Sequence, residues 1–166
     1  MQDPLGKLLI ATVGSFQAAS WLPSKFRVAL LRAAGFDLHR SIHINSGVHF
    51  GRRNVTMRLG VFVNVGVYFS EAGRIYLGER VHLAPHVKIL TDSHDIGSFE
   101  KRAGQKRVQD VRVERGSWVG AGSIILPGVT IAEGCVIAAG AVVTKSTEPN
   151  GLYAGVPAKR VRDLPT

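Results

Sequence analysis

The stretch VERGSWVGAGSIILPGVTIAEGCVIAAGAVV, residues 113–143, repeats one pattern every six residues. A branched aliphatic residue opens each unit, a glycine follows three positions later, and a small or β-branched residue comes next. The aliphatic positions are Val113, Val119, Ile125, Ile131, Ile137 and Val143. A period of six is neither the helical period nor the simple alternation of a strand. It predicts short extended segments that each end at a sharp corner, where glycine tolerates the backbone and the aliphatic side chain points inward.

Three of these segments close one triangular coil, and the same frame continues towards the N-terminus with small slips of register. The earlier triplets are Leu38, Ile44 and Phe50, then Met57, Val63 and Phe69, then Leu77, Leu83 and Ile89. The predicted coils cover residues 38–55, 57–74, 77–94, 113–130 and 131–148. Stacked coils bury a continuous core that no single repeat could bury alone. We therefore expect an all-β protein, a parallel β-helix of about five triangular coils.

Three segments fall outside the repeat. Residues 1–37 are predicted to form a short helical segment that caps the β-helix, which itself covers 38–148. Within it, residues 95–112 are polar and lose the aliphatic period, so they are expected to leave the coil as a loop. A long loop in a compact domain is uncommon unless it is functional, which makes this one a candidate for shaping a site. Residues 149–166 are expected to end the repeat as a basic tail with room for a short helix.

The charge balance indicates acidic partners. Across 166 residues, 21 lysines and arginines oppose 12 aspartates and glutamates, for a net charge of +9. Such a surface suits nucleic acid, an anionic membrane or a phosphorylated ligand. The sequence contains no nucleic-acid-binding motif, so we expect no nucleic-acid partner. The single cysteine, Cys135, cannot form an internal disulfide, which favours a reducing compartment and a cytoplasmic location.

The N-terminal stretch from Leu8 to Ala19 is apolar, but polar residues interrupt it and it is too short to span a bilayer. It also lacks the charge pattern of a signal peptide. A weak contact of this basic, apolar segment with a membrane surface stays open as a prediction.

Four segments carry a resemblance to a known family: LGERVHLAPHVKILTDSHD (77–95), SWVGAGSIILPGVTI (117–131), AAGAVVTK (138–145) and AGVPAKRVR (154–162). Together they resemble the hexapeptide-repeat acyltransferases, and among them the galactoside, maltose and exopolysaccharide (colanic acid type) O-acetyltransferases. The resemblance covers residues 25–164 and implies a left-handed β-helix. It further implies a homotrimer, acetyl-CoA as co-substrate in clefts between neighbouring subunits, a saccharide acceptor and no metal.

The resemblance also implies roles for four residues near the acceptor. His94 occupies the position of the family's catalytic histidine, where a neutral imidazole takes the proton of the acceptor hydroxyl and returns it to the sulfur of CoA. Asn64 matches an asparagine that contacts the acceptor and the reacting centre, and its amide can donate to a developing oxyanion. Glu71 and Asp95 are further candidates for acceptor contacts.

For the donor, the resemblance implies contacts along the pantetheine arm and at the phosphates. The implied residues are Trp118, Ala121, Ala139, Thr144, Lys145, Lys159 and Arg162. The family often has arginine where Lys159 stands, so charge attraction is expected there without bidentate binding. A backbone N–H near Ala121 is a candidate oxyanion donor. Cys135 is expected to be a buried structural thiol rather than a nucleophile, which favours direct transfer over an acyl-enzyme.

Two other functions are weighed. A catalytically silent β-helix scaffold would have the same repeat. A γ-carbonic-anhydrase-like metal enzyme could use His82, His86 and His94, but that class takes two ligands well downstream and residues 113–166 contain no histidine. The acceptor stays open between a polysaccharide hydroxyl, a small sugar, an antibiotic and an amino sugar. The N-terminal segment resembles that of exopolysaccharide-type members and favours surface-glycan biosynthesis.

Overall fold

The computed structural model describes residues 12–166, which fold into a three-sided prism of short, stacked strands. The first face stacks β1 (Asp37–Leu38), β4 (Val55–Met57), β7 (Ile75–Leu77), β12 (Val111–Val113) and β15 (Thr130–Ile131). The second stacks β2 (His43–Ile44), β5 (Phe62–Val63), β8 (His82–Leu83), β13 (Trp118–Val119), β16 (Val136–Ile137), β18 (Gly151–Ala154) and β19 (Lys159–Asp163). The third stacks β3 (His49–Phe50), β6 (Tyr68–Phe69), β9 (Lys88–Ile89), β14 (Ile124–Ile125) and β17 (Val142–Val143).

Each face contributes a column of large inward side chains, and the first face adds a second buried column of Val55, Ile75 and Val111. The strands within a face are parallel except for the last pair, β18 and β19. On the third face the column runs through Phe50, Phe69, Ile89, Ile125 and Val143, which are direct partners from strand to strand. All five are buried. The triplets predicted from the six-residue period therefore all lie in the core, and each of these buried side chains contributes about 1.5–3 kcal/mol.

The chain adds residues at one corner of the prism, which we call the 3–1 corner because it joins the third face to the first. The inward positions are seven residues apart from Phe50 to Met57, eight from Phe69 to Leu77 and twenty-four from Ile89 to Val113. The other two corners, 1–2 and 2–3, keep the spacing of six throughout the five coils. Insertions at a corner leave the inward columns intact, so the core tolerates them.

The largest of these insertions is an antiparallel hairpin rather than an irregular loop. Strands β10 (Asp92–Ile96) and β11 (Ala103–Val108) pair with each other, and the coil resumes at β12. The excursion begins at Asp92, three residues before the predicted loop 95–112. The boundary differs because the polar run after Thr91 pairs with its own return strand. His94 consequently lies within the hairpin and not at the end of the third coil.

The C-terminal segment also differs from the expected basic tail. Leu152 and Tyr153 of β18 pair with β16 and begin a sixth coil on the second face. Strand β19 then folds back antiparallel to β18, so residues 159–163 are extended and not helical. Arg160 fastens this hairpin because its guanidinium donates to the carbonyl oxygens of Glu148 at 3.1 Å and Pro149 at 3.0 Å.

Two helical segments close the other end of the prism. Residues 12–17 (α1) and Ser24–Ala33 (α2) lie over the first coil, where strand β2 has no further strand beside it. The Ile44 N–H donates to Ser24 Oγ at 3.0 Å, and Arg27 Nη1 donates to the Ile44 carbonyl at 2.8 Å. The helices thereby satisfy backbone groups that an open sheet edge would expose. The part of the predicted cap before residue 12 lies outside the described residues, and no helix within residues 12–166 is long and apolar enough to cross a membrane.

Arg27 is the centre of this cap and carries a stability prediction. It is buried, and its guanidinium also donates to the carbonyl oxygens of Gln17 and Ala19. Replacing Arg27 with leucine leaves these carbonyl oxygens without hydrogen-bond donors. We therefore expect the free energy of unfolding to fall by about 2–4 kcal/mol. Denaturant unfolding measures this loss.

The matched control is Arg32→Leu, which removes an exposed arginine from the same helix. We expect it to change the free energy of unfolding by no more than about 0.5 kcal/mol. Equal effects of the two substitutions would show that the cap does not depend on the Arg27 hydrogen bonds.

Candidate functional site

The first group of candidate residues lies along the 2–3 corner. Asn64, Ala121 and Ala139 follow strands of the second face in the second, fourth and fifth coils, and backbone hydrogen bonds hold the turns of neighbouring coils in line. The Gly140 N–H, for example, donates to the Ala121 carbonyl at 2.8 Å. Ala121 and Ala139 are exposed, and a Cβ built on Gly140 would meet no atom within 4 Å. This stretch of the corner is an open strip of small residues that an extended ligand can lie against.

Two hydrogen bonds hold the Asn64 side chain through its oxygen and leave its NH₂ group available as a donor. Its Oδ1 accepts from the Val65 N–H at 2.8 Å and from Asn45 Nδ2 at 3.0 Å. These two contacts settle which end of the amide carries oxygen, and Asn64 Nδ2 makes no hydrogen bond within residues 12–166. The side chain is half-buried, so a directed N–H donor faces outward from the corner.

His86 is a second polar residue at this corner. It has a positive φ of 60°, in a position that glycine occupies in neighbouring coils, such as Gly66 at 67° and Gly122 at 67°. Its ring lies directly against Gly66, where a Cβ would collide with it. A non-glycine residue held in the left-handed region stores strain, and such residues cluster at functional sites. The sequence alone suggests His86 only as a metal ligand, whereas its position in the column of corner glycines marks it as a candidate site residue.

The second group lies at the 3–1 corner and on the hairpin. His94 is exposed on β10, directly opposite Lys106 of β11. Alternate residues of a strand share a face, so Asp92 lies on the same side of the hairpin as His94. Lys106 Nζ binds Asp92 Oδ2 at 2.9 Å on that side.

Asp92 anchors the base of the hairpin to the prism. Its Oδ1 accepts a hydrogen bond from Ser70 Oγ in the coil below. The Ser70 hydrogen bond, with the Lys106 contact second, lowers the pKa of Asp92 below its ordinary value, and the charge of His94 acts in the same direction. The carboxylate therefore stays ionised at neutral pH next to His94. Asp92 was missed in the sequence because the repeat frame assigned it to the coil.

The two acidic candidates for acceptor contacts occupy different surroundings. Asp95 pairs with Arg107, which lies opposite Ser93, so its carboxylate is on the other face of the hairpin from His94. Glu71 is exposed at the 3–1 corner, packs over Gly51 and lies 3.9 Å from His49 Nε2. Of the two, only Glu71 lies free of an arginine partner.

The donor candidates are divided between the second face and the last coil. The Trp118 side chain is 55% exposed on the second face, between His82 and Val136 of the adjoining strands. Lys159 and Arg162 are exposed on β19. Thr144 and Lys145 are exposed at the 3–1 corner, directly after β17.

These cations are free to bind a ligand. The Arg160 guanidinium is already bound to carbonyl oxygens and to Asp163 at 2.7 Å. The side chains of Lys145, Lys159 and Arg162, in contrast, make no hydrogen bond or ion pair within residues 12–166. Cys135 is buried, and its Sγ lies 3.4 Å from Thr147 Oγ1, as predicted for a structural thiol.

A single chain does not bring Asn64 and His94 together. Asn64 lies at the 2–3 corner and His94 beyond the 3–1 corner, so the whole third face separates them. The three histidines of the metal-enzyme alternative also diverge, because His82 lies on the second face, His86 at the 2–3 corner and His94 on the hairpin. No group of three or more histidine, cysteine or acidic side chains within residues 12–166 is arranged to hold a metal ion.

Known proteins with the same repeat and fold exist. The bacterial transferase hexapeptide family (six repeats) matches residues 110–145. The galactoside O-acetyltransferase of Lactococcus lactis subsp. lactis is 34% identical over 116 residues, which is 70% of this chain and 56% of that protein. This chain spans little more than half the length of such relatives.

Two solved structures superpose along nearly the whole chain. A hexapeptide-repeat acetyltransferase of Vibrio cholerae, complexed with acetyl coenzyme A, aligns with a TM-score of 0.82 at 24% identity, covering 98% of this chain and 88% of that one. A maltose O-acetyltransferase of Clostridium difficile aligns with a TM-score of 0.78 at 26% identity, covering 99% and 90%. The chain is thus a hexapeptide-repeat protein with the left-handed β-helix of the hexapeptide-repeat acetyltransferases.

Proposed function

We propose that this protein is an O-acetyltransferase that moves an acetyl group from acetyl-CoA to a hydroxyl of a sugar or surface-polysaccharide unit, with His94 as the general base. The observation that carries the proposal is the exposed His94 imidazole on a hairpin whose base holds an ionised carboxylate, Asp92. The galactoside and maltose O-acetyltransferases to which the chain is similar support a sugar acceptor. The buried, unpaired Cys135 suits a cytoplasmic protein.

The proposed reaction is a direct transfer with one proton relay. His94 takes the proton of the acceptor hydroxyl while the oxygen attacks the thioester carbonyl, and it then delivers that proton to the sulfur of the departing CoA. Asp92 stabilises the imidazolium that forms between these steps because its negative charge lies on the same face of the hairpin. The free Asn64 Nδ2 donates to the oxyanion of the tetrahedral intermediate or holds the hydroxyl.

The open strip at the 2–3 corner fits the pantetheine arm of acetyl-CoA. Trp118 provides an exposed apolar ring beside the strip, and Ala121 and Ala139 leave the backbone accessible. Lys159 and Arg162 have no partner within the described residues and suit the CoA phosphates. Thr144 and Lys145 lie at the next corner of the fifth coil and would contact the far end of the ligand.

We propose that the site is completed in a homotrimer. The hairpin of one subunit would lie against the 2–3 corner of its neighbour, so that His94 and Asn64 from different chains face the same acceptor. The hairpin exposes apolar side chains that suit such a contact, since Ile96 is 88% exposed and Phe99 is 81% exposed near its tip. Apolar side chains this open on a small excursion are typical of a surface that is covered by a partner.

Mixing two inactive variants tests the shared site. His94→Ala and Asn64→Ala trimers should each lose activity by orders of magnitude, because each lacks one half of every site. Trimers assembled from equal amounts of both should regain about a quarter of wild-type activity, since that fraction of interfaces pairs an intact His94 with an intact Asn64. Release of CoA thiol from acetyl-CoA across a panel of sugars measures the rates.

Two outcomes of that experiment would contradict the proposal. A mixture as inactive as its parents would show that the two residues do not act across a subunit interface. Near-normal activity of His94→Ala alone would remove His94 from the mechanism.

Asp92→Ala should disturb the placement of His94 without affecting donor binding. Because the pKa of Asp92 is lowered, its carboxylate keeps the hydrogen bond from Ser70 at every pH above the ordinary pKa of a carboxyl group. That hydrogen bond is lost only as the pH falls through the lower, folded-state pKa. At pH 7 we expect kcat to fall about tenfold to a hundredfold, with the KM for acetyl-CoA unchanged. Glu100→Ala, at the tip of the hairpin, is the control; an equal loss there would argue against a specific role for Asp92.

Lys159→Ala combined with Arg162→Ala should raise the KM for acetyl-CoA about tenfold or more and leave kcat nearly unchanged, because the phosphates lie far from the reacting bond. The control is Arg115→Ala, which removes an exposed arginine at the 1–2 corner that pairs with Glu133. A normal KM in the double variant would place the CoA phosphates elsewhere.

A further inference from the structure

The helical cap exposes a group of aromatic side chains that neither the core nor the proposed site uses. Trp21 is 68% exposed, Phe26 is 66% exposed and Phe16 is 49% exposed. Phe16 and Trp21 contact each other edge to face, with 5.3 Å between ring centroids. Trp21 lies three residues before α2, and Phe26 lies within its first turn. These large apolar side chains are held in fixed positions on the outside of the protein.

The same cap is basic and lacks acidic residues. From Pro4 to Phe36 the sequence contains no aspartate or glutamate. Lys25 and Arg32 are exposed and lie on one stripe of α2, because residues seven apart on a helix share a side. Phe26, Ala29 and Ala33 form the neighbouring exposed stripe. We call Phe16, Trp21, Lys25, Phe26 and Arg32 the cap patch.

The cap patch is remote from the proposed donor site. On the second face, β2 under the cap is the first strand and β19, which carries Lys159 and Arg162, is the last. Six strand spacings separate them, or roughly 29 Å. The exposed aromatics therefore cannot be explained as part of CoA binding at the far end of the prism.

We propose that the cap patch docks the protein onto an anionic lipid bilayer. Tryptophan and phenylalanine partition into the headgroup region, while lysine and arginine are attracted to anionic lipids. The complete lack of acidic side chains in this stretch gives the charge complementarity that an anionic surface requires. The prism would then stand with its first coil on the membrane.

Three-fold assembly strengthens this contact. A single patch of this size binds a bilayer weakly and reversibly. Three prisms packed side by side in one direction would present three caps on one face of the trimer, and linked contacts multiply in effect. Docking goes beyond acetyl transfer itself: it would hold the enzyme where membrane-attached acceptors occur.

Vesicle co-sedimentation of the full chain tests the docking. The wild-type protein should sediment with phosphatidylcholine vesicles containing about one third phosphatidylglycerol, and hardly at all with pure phosphatidylcholine. Added salt should weaken the binding, since screening shortens the range of the attraction. Equal binding to both vesicle types, or binding to neither, overturns the proposal.

Two variants separate the apolar and the charged contributions. Trp21→Ser with Phe26→Ser should lower the partition coefficient at least about tenfold, because it removes two exposed rings. Lys25→Gln with Arg32→Gln should lower the partition coefficient about 25-fold, because the loss of each cation weakens binding about fivefold. Leu59→Ser and Arg115→Gln are the controls, since they remove an exposed apolar side chain and an exposed cation at the 1–2 corner, outside the cap. Equal losses in controls and variants would refute a role for the patch.

Size-exclusion chromatography and thiol release on a soluble acceptor complete the test. Cap variants that remain assembled and active but lose vesicle binding support the proposal. A cap variant that dissociates shows that the patch is a subunit contact, which overturns it. Because activity is read separately in solution, failure of membrane docking and failure of the acetyltransferase proposal give different results.

Discussion

The width of the triangular interior is the constraint on which the rest of the structure depends. Each two- or three-residue strand sends at least one large apolar side chain inward, and columns such as Phe50, Phe69 and Ile89 are fully or almost fully buried. A second buried side chain beside it is small or β-branched, such as Val61 or Ala141, and a polar one such as Ser123 is hydrogen-bonded to backbone carbonyls. Large polar and charged side chains are therefore displaced to the outward positions, the corners and the two ends.

The corners consequently carry the residues of the proposed site. The 3–1 corner accepts extra residues, and its largest insertion presents His94 on a hairpin tied to the prism through Ser70 and Asp92. The 2–3 corner keeps its spacing of six, which lines up the turn that carries Asn64 in the second coil with those that carry Ala121 and Ala139 in the fourth and fifth. The 3–1 corner thus extends side chains away from the prism, and the 2–3 corner presents a regular backbone. The fold needs no change in its core to have both.

The core could be predicted from the sequence because the six-residue period reports inward positions directly. The hairpin could not, since residues 92–96 and 103–108 are polar and their pairing has no hydrophobic signature. Strand β18, which begins the sixth coil, could not be predicted because Tyr153 lies outside the six-residue frame that ends at Val143. Asp92 was missed for the same reason as the hairpin, and Arg27 because its partners are backbone carbonyls distant in sequence. Handedness leaves no mark on the period at all.

A straight prism is convex along its length, whereas ligand sites are concave. The candidate residues therefore cannot form a cleft on one smooth prism; a cleft needs the hairpin, a second prism or both. The division of Asn64 and His94 between two corners is what this geometry requires of a site shared by neighbouring subunits. The same geometry separates the cap from the proposed site, because the end of a prism offers a broad surface suited to a flat partner. In the proposed trimer, clefts would form between the sides of the prisms, and broad contacts would form at their ends.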